Sequence, residues 1–400
     1  MKSYDVAVVG GRVAGAATAM LLARAGLRVT VVDRARPGTD TVSTHGLMRA
    51  GVLQLSRWGL LPRLVAAGTP PITRTVFHYR DRDPVTVSIR PSAGVPALFA
   101  PRRHILDAIL ADAAAEEGAH VRYRMPVTGL LRDERGRVTG VAARAGDGSL
   151  TQIRATVTVG ADGVGSLVAR ETAAPVTRRG SAGSAVLYGY VADLAGAGYE
   201  WAYGDGAAAG VLPTNGGEAC VFAATTPERM RALRADGIEA AFRTVLSAAS
   251  PVLAERVEGS SALDRIRGWR GMPGIVRRPF GPGWALVGDA GLFRDPISSH
   301  GMTDALRDAE ILASGILEML WGGVPEQVAL GGYQALRDRL SLRMFDAVDR
   351  IAAYDWSPER VDGLLRAHSG AMSDEIDYLS SLPADALVSR EVLEADTVTL

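Results

Sequence analysis

The sequence predicts an α/β protein in which a three-layer unit, built on a parallel sheet, is interrupted by a second, mixed or antiparallel sheet and followed by helices. Three observations carry this reading. Residues 4–33 read as strand, glycine turn, helix and strand; apolar strands at 155–160 and 284–287 each run into a turn containing glycine and aspartate; and the stretches 73–100 and 184–270 change to short alternating strands. A parallel strand is buried on both faces and reads as an unbroken apolar run, whereas a strand with one buried face alternates.

In the first unit, YDVAVV (4–9) has no polar face, AGAATAMLLARA (14–25) is rich in helix formers, and LRVTVV (27–32) is a second buried strand. The turn between strand and helix is Gly10-Gly11-Arg12-Val13-Ala14-Gly15. It keeps the outer glycines of the GxGxxG pattern and places Arg12 at the middle one. Gly10 permits the tight turn and Gly15 lets helix and strand approach. The helix start at Val13 and Ala14 offers free backbone N–H groups to a pyrophosphate. Asp33, followed by Arg34, closes the second strand, where an acidic residue accepts hydrogen bonds from an adenosine ribose. The glycines alone fit an ordinary βαβ turn; the acidic residue at the right place points to dinucleotide binding.

Composition bounds the rest. The 400 residues carry 44 basic and 44 acidic side chains, so no global field draws the chain to nucleic acid or an anionic membrane. Lys2 is the one lysine, which excludes any mechanism needing an internal lysine. Cys220 is the one cysteine, so no internal disulfide forms, and no metal-ligand spacing of Cys and His is present. The first strand starts too early for a signal peptide, and no apolar run reaches the length of about 18 residues that a spanning helix needs. A cytoplasmic protein without membrane insertion is expected; its oligomeric state is open.

The later motifs are Gly160-Ala161-Asp162-Gly163 and Gly288-Asp289-Ala290, the second continuing as GLFRDPISSHGMTDALRDAEILA. Together with the first turn, in this order, they resemble the FAD-dependent monooxygenases typified by para-hydroxybenzoate hydroxylase, with their relatives the geranylgeranyl reductases and flavin halogenases. The resemblance spans residues 4–315. It implies a Rossmann-like FAD-binding domain from residues 1–72, 101–180 and 275–325, a substrate-binding sheet domain from 73–100 and 181–274, and a helical segment and tail over 326–400. It also implies that Asp162 and Gly163 form a turn near flavin and nicotinamide, that Asp289 after Gly288 bonds the ribityl chain, and that Pro296, Gly301 and Met302 border the flavin. There a helix N-terminus would stabilise the negative charge of reduced flavin. Arg103, or in its place Arg102, would approach the flavin, and Val127 would contact adenine. Ser298, Ser299, His300 and Thr303 depart from the family pattern of two glycines, glutamine and asparagine.

Two histidines are candidate catalytic groups. His45 lies in the loop Ser43-Thr44-His45-Gly46, which in relatives passes beside the flavin, and Thr44 is placed to cap the following helix; His300 falls inside a matched motif. A histidine titrates near neutral pH and can handle protons, although a loop histidine bonded to backbone is the plainer role. Tyr199, Trp201 and Tyr203 alternate in YEWAYG, so their rings share one strand face, as substrate contacts or as plain core.

The resemblance implies a hydroxylase that is reduced by NADPH or NADH, reacts with oxygen as a C4a-hydroperoxyflavin and oxygenates an apolar or aromatic small molecule, in keeping with secondary metabolism. The alternatives are a reductase of the geranylgeranyl type, whose aromatic motif YEWAY is similar to although Gly204 stands in place of its proline, and a non-catalytic flavin-binding protein. Halogenation is disfavoured, because the lysine is missing and GWRGMPG stands in place of WxWxIP.

Overall fold

The computed structural model describes residues 3–79, 82–92, 94–194, 196, 198–260 and 263–382. The expected loose tail over the last residues lies outside them.

The chain alternates between two sheets. It begins the first with β1 (Ser3–Val9) and β2 (Val29–Val32), joined by helix α1 (Val13–Arg24). It leaves for the second with β3 (Arg74–Tyr79) and β4 (Arg82–Ser88), then returns through α2 (Arg103–Glu116) to β5 (His120–Arg122) and β6 (Leu150–Gly160). A second excursion lays down β7 (Ala185–Ala192), β8 (Tyr199–Gly204), β9 (Ala207–Pro213), β10 (Glu218–Thr225) and β11 (Arg267–Trp269) before β12 (Trp284–Leu286) and α3 (Gly301–Leu320).

In the first sheet β5, β2, β1, β6 and β12 lie side by side and parallel, with Val6 opposite Val29 on one flank and Val157 on the other. Val6, Val8, Val29, Val31, Val157 and Val159 are all buried, as the unbroken apolar runs require. Helix α1 packs its alanines against α2 and α3 in this core.

The second sheet runs β11-β7-β10-β9-β8-β3-β4, antiparallel except where β8 meets β3. Its outer face carries the helices Pro227–Leu233, Ile238–Ala249 and Pro251–Glu258. Its inner face carries Tyr188, Tyr190, Tyr199, Trp201, Tyr203 and Phe222. The alternation of YEWAYG thus does place its three rings on one side.

Two long helices, α4 (Glu326–Ile351) and α5 (Pro358–Ser381), follow; of Leu336, Leu340, Met344 and Val348, spaced i, i+4 along α4, the last three are buried and Leu336 is half-buried. Among the described residues no helix is long and apolar enough to cross a membrane.

Helix α3 meets α5 through charge as well as apolar contact. The fully buried Arg307 guanidinium pairs with Glu375 of α5 at 2.8 Å, Asp304 at 3.0 Å and Asp308 at 2.7 Å, and donates to Ser341 Oγ of α4 at 2.7 Å. Arg294 reaches the other oxygen of Asp304 at 3.0 Å. Burial is tolerated because each charge meets an opposite one; removing a single member strands the rest. Arg307→Leu should therefore lower the free energy of unfolding by about 3–5 kcal/mol in urea denaturation. A change within about 1 kcal/mol would instead mean that water readily replaces the guanidinium.

Candidate functional site

The ends of β1, β6 and β12 open into one cavity of about 820 Å³, within the range of cofactor sites. Gly10 has φ +100°, and a Cβ there would stand 2.4 Å from the Ala161 carbonyl oxygen. At Gly15 a Cβ would stand 1.9 Å from the Gly10 carbonyl oxygen. Gly15 is not part of the cavity wall, but it is what allows α1 to aim its N-terminus there. Gly288, with φ +60°, brings its turn against Ala14 in the same way.

Arg12 needs no glycine's freedom. It has extended backbone at φ −93°, directly before α1, and its side chain lies along the wall 3.9 Å from Asp107. Arg103 also lines the cavity and pairs with Asp107 at 3.0 Å, while burial pushes the Asp107 carboxyl up against the opposing pull of both arginines. Arg102 turns elsewhere, to Asp40 at 3.1 Å and Glu218 at 2.7 Å, so the arginine at the cavity is Arg103.

Asp33 accepts Gly11 N–H at 2.7 Å and Ala35 N–H at 2.6 Å, holding both loops at one end of the cavity beside Arg34 and Val127. Asp162 accepts from Ser166 Oγ at 2.5 Å and from Leu167 N–H at 2.6 Å, the turn-forming role expected of it, with Gly163 at φ +79°. Asp289 differs. Its carboxylate opens on the cavity with no hydrogen-bond partner among the described residues, and the enclosing protein raises its pKa to about 6. Pro296, Gly301 and Met302 border the same cavity, and Gly301 begins α3 with open space at its Cα and no side-chain cap before it.

His45 is on the wall, buried, with its Nε2 2.5 Å from the Tyr190 hydroxyl. Burial, with Arg103 and Arg102 nearby, lowers its pKa to about 3 against the pull of Asp40. The expected titration near neutrality is thus overturned: His45 is a neutral hydrogen-bonding group. Thr44 bonds Ser299 Oγ at 3.1 Å instead of capping a helix, since the next helix starts only at Arg49.

Two expectations fail on placement. His300 is not on the wall; its ring turns away to Glu375, 2.6 Å from Nε2. Tyr199, Trp201 and Tyr203 are core, with the Tyr199 hydroxyl donating to the Phe99 carbonyl at 2.5 Å. The aromatic wall belongs to Tyr188, Trp269 and Phe293, with Val186 beside them. AVLYGYVADL alternates as YEWAYG does, but its strand lies beside β11 at one end of the sheet order, and these two strands contribute Tyr188 and Trp269 to the wall. His300, Asp304 and Glu375 also bring three ligand atoms within 4.8 Å of one another, but Arg307 and Arg294 already neutralise those carboxylates, which disfavours a cation.

An FAD fits this donor set. A glycine-cleared helix start faces a pyrophosphate, Asp33 a ribose, the partnerless Asp289 a polyhydroxyl chain, and the start of α3 an electron-rich ring. A model of the FAD binding domain matches residues 3–347. The chain belongs to that family. Digeranylgeranylglycerophospholipid reductase of Thermoplasma volcanium is 24% identical over 420 residues, covering 98% of each chain. Among solved structures, PqsL of Pseudomonas aeruginosa in complex with 2-aminobenzoylacetate superposes with a TM-score of 0.75 at 23% identity, over 93% of this chain and 100% of that one. The flavin-dependent brominase Bmp2 does so with a TM-score of 0.78 at 16% identity, over 100% and 99%. This flavoprotein is an FAD-dependent oxidoreductase.

Asp289→Ala should weaken FAD binding roughly tenfold to a hundredfold in a fluorescence titration, the scale of lost hydrogen bonds to a charged acceptor. Because the carboxyl is charged only above about pH 6, the wild type's advantage over Asp289→Asn should grow as pH rises through that value. An affinity equal to wild type at pH 8 would remove Asp289 from the cofactor site.

Proposed function

We propose that this enzyme is a monooxygenase that uses NADPH or NADH to place one oxygen atom on an apolar or aromatic small molecule, the other leaving as water. The observation that carries the reading is the aromatic wall of Tyr188, Trp269 and Phe293, which continues the cavity bordered by Pro296 and Gly301. Such a wall holds a planar apolar substrate and keeps water out.

Bound FAD would supply the redox chemistry that links a nicotinamide reductant to oxygen. Gly10, Val13, Ala14 and Gly15 would shape its pyrophosphate cradle, Asp33, Arg34 and Val127 its adenosine end, Arg12 and Arg103 its positive flank, and Asp162, Gly163, Gly288 and Asp289 its middle. The backbone at Gly301 and Met302 would present the positive end of α3 to negative charge on the ring. Trp269 and Phe293, with ring centres 5.8 Å apart, would orient the substrate. Burial raises the pKa of the Tyr188 hydroxyl to about 12, so it would keep its proton to donate to a substrate oxygen. His45 would contribute as a neutral contact.

A second reading, hydride transfer to a carbon–carbon double bond, is favoured by the reductase that matches along its whole length. The FAD-loaded protein separates the two. Under the first, NADPH or NADH bleaches the flavin anaerobically, air restores it, and an electron-rich aromatic substrate gains one oxygen atom. Recovery of colour only with an organic acceptor would transfer the assignment to the reductase. Trp269→Ala should raise KM for such a substrate about tenfold, the scale of a lost aromatic contact; an unchanged KM would place the substrate elsewhere.

A further inference from the structure

The turn between β1 and α1 departs from the GxGxxG pattern at one place, Arg12. In that pattern the middle glycine lets the backbone come close to a pyrophosphate. Here the turn is closed without it. Gly10 meets the Ala161 carbonyl and Gly15 the Gly10 carbonyl, while Arg12 has ordinary extended backbone, φ −93° and ψ −166°, directly before α1. A side chain at this position therefore adds no strain to the turn, and what it adds in chemistry is a cation.

That charge is not matched by the protein. Among the described residues the one ion-pair partner of Arg12 is Asp107, 3.9 Å from NH1 and so beyond hydrogen-bond distance. Asp107 is already engaged, since Arg103 on the same helix donates to its two oxygens at 3.0 and 3.3 Å. Two guanidinium groups thus face one carboxylate, whose own charge burial opposes. NH1 is closed off without a partner, yet the Arg12 side chain as a whole is 32% exposed and lies on the cavity wall. The positive end of α1, which no side chain caps, falls at the same place.

FAD brings the opposite charge. A diphosphate joins its two halves, and the βαβ turn directs that group to the start of α1. A guanidinium meets a phosphate with a planar fork of donors, and such charge-assisted bonds are stronger than neutral ones.

We propose that Arg12 binds the diphosphate of FAD through its side chain, supplying a charged hydrogen bond where the glycine pattern supplies close backbone approach, and that its unmatched charge sets much of the affinity for the cofactor. This role rests on the FAD assignment and not on the hydroxylase reading. Binding is measured without turnover, so a failure of one is distinguishable from a failure of the other.

The test is titration of the flavin-free, full-length protein with FAD, followed by quenching of flavin fluorescence. Arg12→Gly, which completes the glycine pattern, should bind FAD about tenfold more weakly at low salt. The gap should narrow toward about 1 M NaCl, where screening shortens the reach of a charge to about 3 Å. Arg12→Lys, which keeps the charge and loses the planar fork, should fall between the two. In ³¹P NMR of the FAD-loaded protein at least one of the two phosphorus signals should move between wild type and Arg12→Lys, a comparison that decides even if the glycine variant does not fold. An Arg12→Gly protein that binds FAD as tightly as wild type or more tightly, a loss that salt leaves unchanged, or phosphorus signals identical in wild type and Arg12→Lys would each overturn the role of Arg12. A wild type that binds no FAD would overturn the cofactor assignment and this role with it.

Discussion

The architecture rests on backbone packed against backbone where the first strand ends. Gly15 meets the Gly10 carbonyl and Gly10 the Ala161 carbonyl, while Gly288 lies against the Ala14 methyl, each leaving no room for a Cβ on the glycine. Because β1, β6 and β12 are parallel and adjacent, their turns leave from the same edge of the sheet, and these contacts draw them to one cavity. The start of α1 and the Asp289 turn then face the same space with no further device. The α/β sheet thus follows the general rule that ligands bind beyond the carboxyl ends of the strands.

The far side of the cavity is held differently. Helix α3 begins at the wall, yet its buried flank is charged, and Arg307 ties it to Glu375 on α5 and Ser341 on α4. His300, the residue before α3, turns its ring into this network. The position of the Gly301 backbone consequently depends on helices later in the chain, through side chains 34 and 68 residues beyond Arg307. An apolar contact could slide; a buried pair that costs several kcal/mol to break cannot do so cheaply.

At the aromatic end of the cavity, neutrality accompanies shape. Tyr188, Tyr190 and His45 are all shifted by burial toward their uncharged forms, and Arg102 over the Tyr190 ring is itself held by two carboxylates. Under the proposed function, this uncharged end of the cavity would suit an apolar substrate.

The sequence by itself determined the first βαβ unit, the parallel strands and the second sheet, because each follows from local chemistry. Unbroken valine runs are buried on both faces, glycines sit where a Cβ would collide, and Asp33 ends a strand. It also placed Tyr199, Trp201 and Tyr203 on one face. Only the tertiary structure decided which aromatic strand overhangs the cavity, that Arg103 and not Arg102 reaches it, that His300 faces α5, and that His45 is neutral. The physical reason is common to all four. Periodicity reports which side of an element is buried, whereas the identity of what lies opposite, and the desolvation it imposes, depends on elements far away in the chain.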